Sequence, residues 1–588
     1  INTTIHGKTI NSQGHGFCGM SRLKLLNIFH DRCDELGVKL KFGTDIKSVE
    51  ELETDKYDLV IAGDGITSII RERYENEFGT SVDWRANKFC WLATTKPLND
   101  FSFIFKRNEH GWWWAHAYRY EEGTTTWIVE CSEDTWCAAG LENASEADTK
   151  AFCEELFSEE LDGYPLITNR SIWRTFPVVR NERLYYRNMV LLGDAVRSAH
   201  FSIGSGTKLA MEDAIALVDC LGQAGNDVAK ALEIYQETRK IEADKLQRTA
   251  VVSLSWFERI DRYAAMQEPE QFTFNMMCRS KRITYENLKL RDPDYVASVD
   301  RWFADYAKRS TGIEDIDTEN PVVPAFQPFR IGDMRVENRF QLSAMCQYCA
   351  EDGMPSDWHL VHYGARAVGG TGLLNTEMIC ISPTARITPG CAGIWNDEQV
   401  RGWRRITDFV HANSKAKICA QLGHAGRKGA TCQPWVDSGM DQPLSDGVWE
   451  IVAASPIPYL DNSAVPREAT AEDMDAITAD FVAAVGNADA AGFDMIEIHL
   501  AHGYLLSGFI SPYTNQRTDE FGGDIDGRMR FPLRVVQAAR EAWPTGKPLS
   551  VRISANDWVE GGLSEDDMLA AARMLKDAGV DIINVSTG

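Results

Sequence analysis

FDMIEIHLAHGY, residues 493–504, is an apolar run ending in two histidines three positions apart, with a tyrosine two residues beyond the second. A short run that is apolar at almost every position reads as a strand buried on both faces, which is the habit of parallel sheets. The imidazoles of His499 and His502 then stand just past the strand. There they can hold a metal, grip a carbonyl oxygen, or satisfy nearby backbone groups.

Five more runs of the same kind flank this one: FQLSAM (340–345), GLLNTEMIC (372–380), KICAQLG (417–423), LSVRIS (549–554) and DIINVS (581–586). Helical segments separate several of them. TAEDMDAITADFVAAVGNADAAG (470–492) opens with Thr470 three residues before Asp473, and SEDDMLAAARMLKDAG (564–579) repeats the device with Ser564 and Asp567 before stopping at a glycine. Both are N-terminal capping patterns. Repeated βα units of this size predict a parallel barrel, which closes with eight strands. Six are present, so residues 326–588 are expected to form an incomplete TIM barrel whose last two strands lie beyond this sequence.

The bulk numbers narrow the function classes. The chain has 588 residues, 44% of them hydrophobic, enough for two large domains. Its formal charge of −25 argues against a nucleic-acid partner, whose phosphates would be repelled over most of the surface. No apolar run approaches the ~18–20 residues needed to span a bilayer, which predicts a protein that stays off the membrane, in the cytoplasm. The 14 cysteines lack the dense spacing of a disulfide scaffold and fit reduced thiols. Cys346 and Cys349 form a CxxC, which could be a redox dithiol or half a zinc site, but no second pair follows at zinc spacing. HLAH likewise offers two ligands without the glutamate of HExxH, so no metal is expected.

The first half follows a different grammar. Strands such as YDLVIAGDG, SFIFKRN, TTTWIVECS and NMVLLGDA mix with helices over 205–222 and 226–250, and an acidic, aperiodic stretch from 292 ends in prolines. This predicts a first domain over 1–310, a linker over 311–325, and the barrel after it. DLVIAGDGITSIIRERY (58–74) delivers Asp64 and Gly65 at a strand end, followed by Ser68 and Arg71. VLLGDAVRSAHFSIGSGTKLAMEDAIALVDCL (190–221) repeats the logic with Gly193 and Asp194, then Gly204 and Gly206 opening a helix. Glycine permits close backbone approach and a helix N-terminus offers free N–H groups, so a diphosphate, ribose or ribityl chain suits both turns. Either aspartate alone can equally be a helix cap.

Together with SRLKLL (21–26), these motifs resemble the aromatic-ring-hydroxylating flavoprotein monooxygenases of the salicylate and 4-hydroxybenzoate hydroxylase type. The resemblance implies FAD contacts at Arg22, at Asp64, Gly65, Ser68 and Arg71, and at Gly193, Asp194, Gly204 and Gly206. It also implies monooxygenation of an electron-rich ring with O2. The family's GxGxxG strand is absent and is expected upstream of this sequence. Its GDAAHxxxPxxGxGxN reads here with Arg197, Phe201 and Lys208 in place of His, Pro and Asn, which bears on the substrate side. Strands over 102–131 would put Trp112, Trp113, Trp114 and His116 near the ring, or serve as ordinary aromatic packing.

The segments around SAMCQYC (343–349), AQLGHAGRKG (420–429) and EIHLAHGYLLSGF (497–509) resemble the old yellow enzyme family of FMN-dependent ene-reductases. That implies His499 and His502 on a substrate carbonyl, Tyr504 as proton donor, Cys346 and Tyr348 beside flavin and substrate, Gln421 on the pyrimidine edge, and Arg552 near its N1/O2 side. Met378 stands where the family usually has a small residue close to the flavin. The fold class expected is therefore α/β: an FAD-dependent hydroxylase, Rossmann-like plus antiparallel sheet, followed by the barrel. Such a fusion resembles the bifunctional 2-aminobenzoyl-CoA (anthraniloyl-CoA) monooxygenase/reductase and salicylyl-CoA 5-hydroxylase group. It implies an aromatic CoA thioester, O2 and NAD(P)H as partners, with FAD and FMN as cofactors, and a homodimer is expected. The alternatives are a hydroxylase of free aromatic acids or phenols, with a barrel that only moves electrons or mediates dimerisation. Cations for CoA phosphates could come from the arginine-rich stretch 170–187, which reads equally well as an exposed basic strand pair.

Overall fold

The computed structural model describes residues 1–587 apart from 226, 437, 438 and 440. The chain divides into two compact units, Ile1–Val299 and Asp300–Gly588. The stretch after 292 is not aperiodic throughout: Pro293–Thr311 is a 19-residue helix. Asp292 caps it by accepting from the Tyr295 N–H at 3.0 Å. Ile313 and Ile316, just beyond the helix, are buried with Ala304 and Ala307. The helix balances Asp294, Asp300 and Asp305 against Arg301, Lys308 and Arg309, and it is an amphipathic segment whose apolar side has somewhere to go.

In the first unit, strands Ser102–Asn108, Gly111–Glu121 and Thr124–Cys131 form antiparallel hairpins within an eight-stranded sheet. Alternation sorts the aromatics. Trp113, Ala115 and Ala117 face one core, with Trp127 and Phe157, while Trp112 and Trp114 face the other, with Phe103, Phe257 and Phe272. A second, three-stranded sheet pairs Val60–Ala62 in parallel with Met189–Leu191. Helices Gly206–Gln223 and Val228–Phe257 follow it, matching the helical readings of those segments; residue 226 lies outside the described residues.

The second unit carries the six expected strands in sequence order, every neighbouring pair parallel: Gln341–Leu342, Leu373–Cys380, Lys417–Gly423, Met495–Leu500, Leu549–Ser554 and Ile582–Ser586. The first is shorter than the apolar run 340–345. Strands 373–380 and 495–500 are buried at every residue, as sheets covered on both faces require. Thr470/Asp473 and Ser564/Asp567 both close as reciprocal capping boxes. A hairpin of Phe329–Ile331 and Met334–Val336 packs Ile331, Met334 and Val336 on Leu373, Cys419 and Met495, at the N-terminal ends of three strands. The opposite, C-terminal ends carry the histidines. Among the described residues, no helix is long and apolar enough to cross a membrane.

Candidate active sites

In the first unit, the parallel pairing of 60–62 with 189–191 brings the two sequence-distant aspartate turns side by side. Gly65 (φ 85°), Gly193 (φ 59°) and Gly204 (φ 61°) all occupy the left-handed region. At Gly193 the requirement is double, because a Cβ there would lie 3.0 Å from that of Ala210. Arg71 is buried. Its guanidinium donates to the carbonyl of Ala195 at 2.8 Å and to that of Ile66, so it clasps one turn to the other and both terminal nitrogens are engaged by backbone. Ser68 caps the helix Ile69–Arg73, accepting from the Arg71 N–H at 3.3 Å, and Asp64 accepts from the Ile69 N–H at 2.9 Å. Asp64 therefore acts as a cap, with its carboxylate exposed at the same turn. Asp194 is exposed too, within electrostatic reach of Arg22, the first residue of helix Arg22–Glu35. Gly206 opens helix 206–223.

The departure at Arg197 has a structural explanation. Arg197 is buried and bonds Asp213 through Nη1 at 3.0 Å to both carboxylate oxygens. Asp213 also accepts from Arg239 at 2.7 Å and from the Gly193 N–H at 3.2 Å. This residue therefore braces the turn from inside. Trp112, Trp113 and Trp114 are all buried: Trp113 donates to Asn108 at 2.9 Å, and Trp114 to Glu130 at 2.9 Å.

In the second unit the histidine pair sits at the C-terminal end of its strand, with His499 in register with Arg552 on the next strand. The Ala501 N–H donates to His499 Nδ1 at 3.1 Å, which makes that nitrogen the acceptor and assigns the proton to Nε2. His499 Nε2 then donates to His502 Nδ1 at 3.2 Å, and His502 Nε2 donates to Ser586 Oγ at 2.7 Å. Burial, with the neighbouring charges of Arg552 and Lys428, keeps both imidazoles neutral. His499 is held well below its ordinary value and His502 lowered to about 4. The pair is thus a set of uncharged N–H donors. Tyr504 lies beside it, its ring centroid 4.9 Å from that of His499. Burial pushes its phenol well above the ordinary range, aided by Cys346 and Tyr348, so it carries its proton at neutral pH.

Cys346 is half-buried, its thiol pushed well up by desolvation and by the neighbouring Cys391 and Glu377, in contact with the Tyr348 hydroxyl and the Met378 backbone. Tyr348 (φ 53°) and His502 (φ 63°) both sit in the left-handed region, which costs a non-glycine residue about 1–2 kcal/mol. Strain at two side chains of one mouth is the kind a functional geometry retains. The Arg552 guanidinium has a fully enclosed Nε without a partner among the described residues. A half-buried guanidinium with an enclosed, unpartnered Nε suits an anionic or carbonyl acceptor there, and flavin offers one at N1/O2.

Two participants escaped the sequence reading. Lys428 places its Nζ 4.1 Å from the ring centre of Tyr459 and 5.6 Å from that of Tyr504, and burial lowers its pKa. Glu497, fully buried, accepts from Gln421 at 2.8 Å and Asn375 at 3.1 Å on one oxygen, and from Ser550 at 2.9 Å and Asn584 at 3.1 Å on the other. Five strands meet on one carboxylate. It also anchors the Gln421 amide, the group expected at the pyrimidine edge. A glutamate inside an apolar run was the available signal.

A parallel sheet with a neutral histidine pair, a protonated tyrosine and a half-buried arginine with an unpartnered Nε at its C-terminal mouth defines a flavin-dependent oxidoreductase of the barrel type. Residues 324–588 match the NADH:flavin oxidoreductase / NADH oxidase family, and the chain belongs to it. The chain is 40% identical over 265 residues to an NADPH dehydrogenase of Listeria monocytogenes serotype 4a, covering 45% of this chain and 73% of that protein. It is also 35% identical over 348 residues to a salicyloyl-CoA 5-hydroxylase of a Streptomyces species, covering 58% of this chain and 64% of that protein. The chain thus spans about two-thirds of the length of these relatives. Among solved structures, morphinone reductase in complex with tetrahydroNAD aligns with a TM-score of 0.39 at 29% identity, over 45% of this chain and 74% of that one.

Proposed function

We propose that this chain hydroxylates an aromatic acyl-CoA, of the 2-aminobenzoyl or 2-hydroxybenzoyl type, with O2 and NAD(P)H in its first unit, and reduces the conjugated product in its second. The observation that carries the reading is the coexistence of two sites on one chain. One unit clasps two glycine–aspartate turns together, and the other holds a donor pair, a proton source and an unpaired arginine at one mouth. The likeness to a salicyloyl-CoA 5-hydroxylase over 348 residues supports the substrate class.

In the first unit FAD would lie along the turns at Asp64, Gly65, Gly193 and Asp194, with Arg22 and the helix start at Gly206 as cationic and N–H partners. In the second, Gln421 and Arg552 would hold the FMN ring. Bound flavin supplies hydride and, in the first unit, activates O2. Within the second unit, His502 would donate a hydrogen bond to the substrate carbonyl in place of Ser586, and His499 would do so by giving up its bond to His502 Nδ1. As charge builds on that oxygen the neutral donors stabilise it, which makes the β-carbon electrophilic. Tyr504 delivers a proton to the α-carbon, with Lys428 stabilising the phenolate left behind. Cys346 and Tyr348 close the floor against water.

Supplying 2-aminobenzoyl-CoA and 2-hydroxybenzoyl-CoA separately with NADH or NADPH, and weighing the products, tests this. A hydroxylated and reduced product is expected from wild type, and a hydroxylated, unreduced one from Tyr504→Phe. Identical products from both proteins would remove the second unit from the reaction. Turnover of free salicylate but neither thioester would remove CoA.

A further inference from the structure

Inside the first unit, behind the clasped turns, lies a buried acid–base pair. Strands Gly111–Glu121 and Thr124–Cys131 place His116 and Glu130 on the same face, each 1% exposed. His116 Nε2 donates to Glu130 Oε2 at 3.1 Å. The carboxylate is fixed on both oxygens, by Trp114 Nε1 at 2.9 Å and by Asn87 Nδ2 at 2.9 Å. With Nε2 committed to the carboxylate, the lone pair of the neutral ring is on Nδ1. That atom is fully enclosed and has no partner among the described residues.

Three aromatic rings surround the imidazole: Phe257, Phe103 and Phe201, with centroids 4.9, 5.2 and 5.2 Å away. Phe103 and Phe257 are buried; Phe201 is half-buried. Phe201 belongs to the same connection as Gly193, Asp194 and Gly204, so the pair lies behind the segment that forms the flavin-type turn. The charged and titratable neighbours are Glu130, His200 and Arg279. Arg279 is anchored to Ser253 at 3.0 Å and to the Ser202 carbonyl at 2.6 Å, with its guanidinium over the faces of Phe103 and Phe257. Burial alone would raise Glu130, but the bond from His116 holds it below the usual carboxylate range. Burial keeps His116 below its ordinary value.

An acceptor lone pair enclosed by aromatic faces, with a carboxylate behind it and a guanidinium beside it, matches a planar ring that bears an O–H or N–H. We propose that His116, oriented by Glu130, is the proton acceptor for the ring hydroxyl of the first unit's aromatic substrate, which enters by displacing Phe201; a ring amino group in that place would donate a hydrogen bond without losing its proton. The substrate's O–H bond breaks and a bond forms from the proton to Nδ1. The electron pair stays on the substituent and enriches the ring carbons, and the imidazolium is balanced by Glu130. Nothing is oxidised or reduced in this step. It raises the nucleophilicity that hydroxylation needs, and Arg279 favours the anionic ring. The inference rests on the aromatic hydroxylation reading of this unit but not on CoA.

Titrating the whole chain by tryptophan fluorescence with two matched probe pairs tests it: 2-hydroxybenzoyl-CoA against benzoyl-CoA, and salicylate against benzoate. Wild type is expected to prefer the hydroxylated member of a pair by about tenfold, the worth of one good buried hydrogen bond. His116→Phe keeps the aromatic cage and should bring that ratio to about one, with the unsubstituted probe bound as before. His116→Gln, whose amide can donate to Glu130 and still accept, should keep part of the preference. Glu130→Gln should carry the acid limb of the preference to lower pH, because the carboxylate raises the proton affinity of the imidazole. An unchanged ratio in His116→Phe overturns the proposal. So does equal loss of both probes in His116→Phe and His116→Gln with far-UV circular dichroism unaltered, or wild type binding neither pair. Preference within the free acids alone would sink the thioester reading and leave the dyad standing.

Discussion

Replacing Glu497 with leucine or with glutamine should have sharply different consequences, and the size of each can be worked from the bonds. Leucine removes the acceptor for Gln421, Asn375, Ser550 and Asn584 at once. Ser550 can turn its hydroxyl, and Asn584 is half-buried and can regain water. Asn375 and Gln421 are about 1–2% exposed and cannot. At about 1–3 kcal/mol for each stranded buried donor, Glu497→Leu should cost about 2–6 kcal/mol, less whatever relief comes from no longer desolvating a carboxylate. Glutamine keeps one oxygen, and both critical amides use the same oxygen, so Glu497→Gln should cost about 1–2 kcal/mol after Ser550 reverses its role. Native-state hydrogen exchange of the amides in 495–500 reads the second unit by itself, which a whole-chain melting curve does not. Leucine within about 0.5 kcal/mol of wild type, or glutamine as damaging as leucine, would refute the account of the carboxylate as the barrel's hydrogen-bond hub.

Three further outcomes are expected. Tyr504→Phe should slow reduction of a conjugated carbonyl by about 10²–10⁴-fold in stopped flow while hydride transfer from NAD(P)H to the flavin continues; equal loss of both would deny it a proton-donor role. His424, fully buried, is lowered by burial from 6.5 to about 4. Its neutral form is favoured only in the folded state, so its contribution is complete above pH 6.5 and lost as pH falls toward 4, about 3 kcal/mol over the interval. His424→Asn should flatten the urea-midpoint profile between those pH values, and an unchanged slope would assign the acid sensitivity elsewhere. Arg197→Met should destabilise the first unit by about 3–5 kcal/mol in urea, because Asp213 keeps its burial but loses the guanidinium whose Nη1 bonds both its oxygens; a neutral result would mean that Arg239 suffices.

The six parallel strands were legible because each is a short apolar run; in the four inner ones, 373–380, 417–423, 495–500 and 549–554, burial on both faces leaves no alternative period. The helices at 471–490 and 565–577 were legible because their caps are local, set by residues three apart. The clustering of His499, His502 and Tyr504 followed from their nearness in sequence. Helix 293–311 was missed because it was read together with the acidic run at 314–319 and the prolines beyond, which hid the apolar stripe of a segment that is itself charge-balanced. The pairing of the Asp64 and Asp194 turns was inferred from order and resemblance, whereas the physical link, Arg71 on the Ala195 carbonyl, spans 124 positions.

By itself the sequence determined the kinds of element, their order, and which strand ends carry polar side chains, since periodicity and capping act over a few residues. Only the tertiary structure decided which of those side chains meet. Strand register put Glu497 under four partners from four other strands and turned His116 toward Glu130 instead of toward bulk water, and the connections after two strands set Lys428 over Tyr504. A buried polar group must find its complement wherever the packed sheets bring one, and at separations of tens of residues no local pattern records that choice.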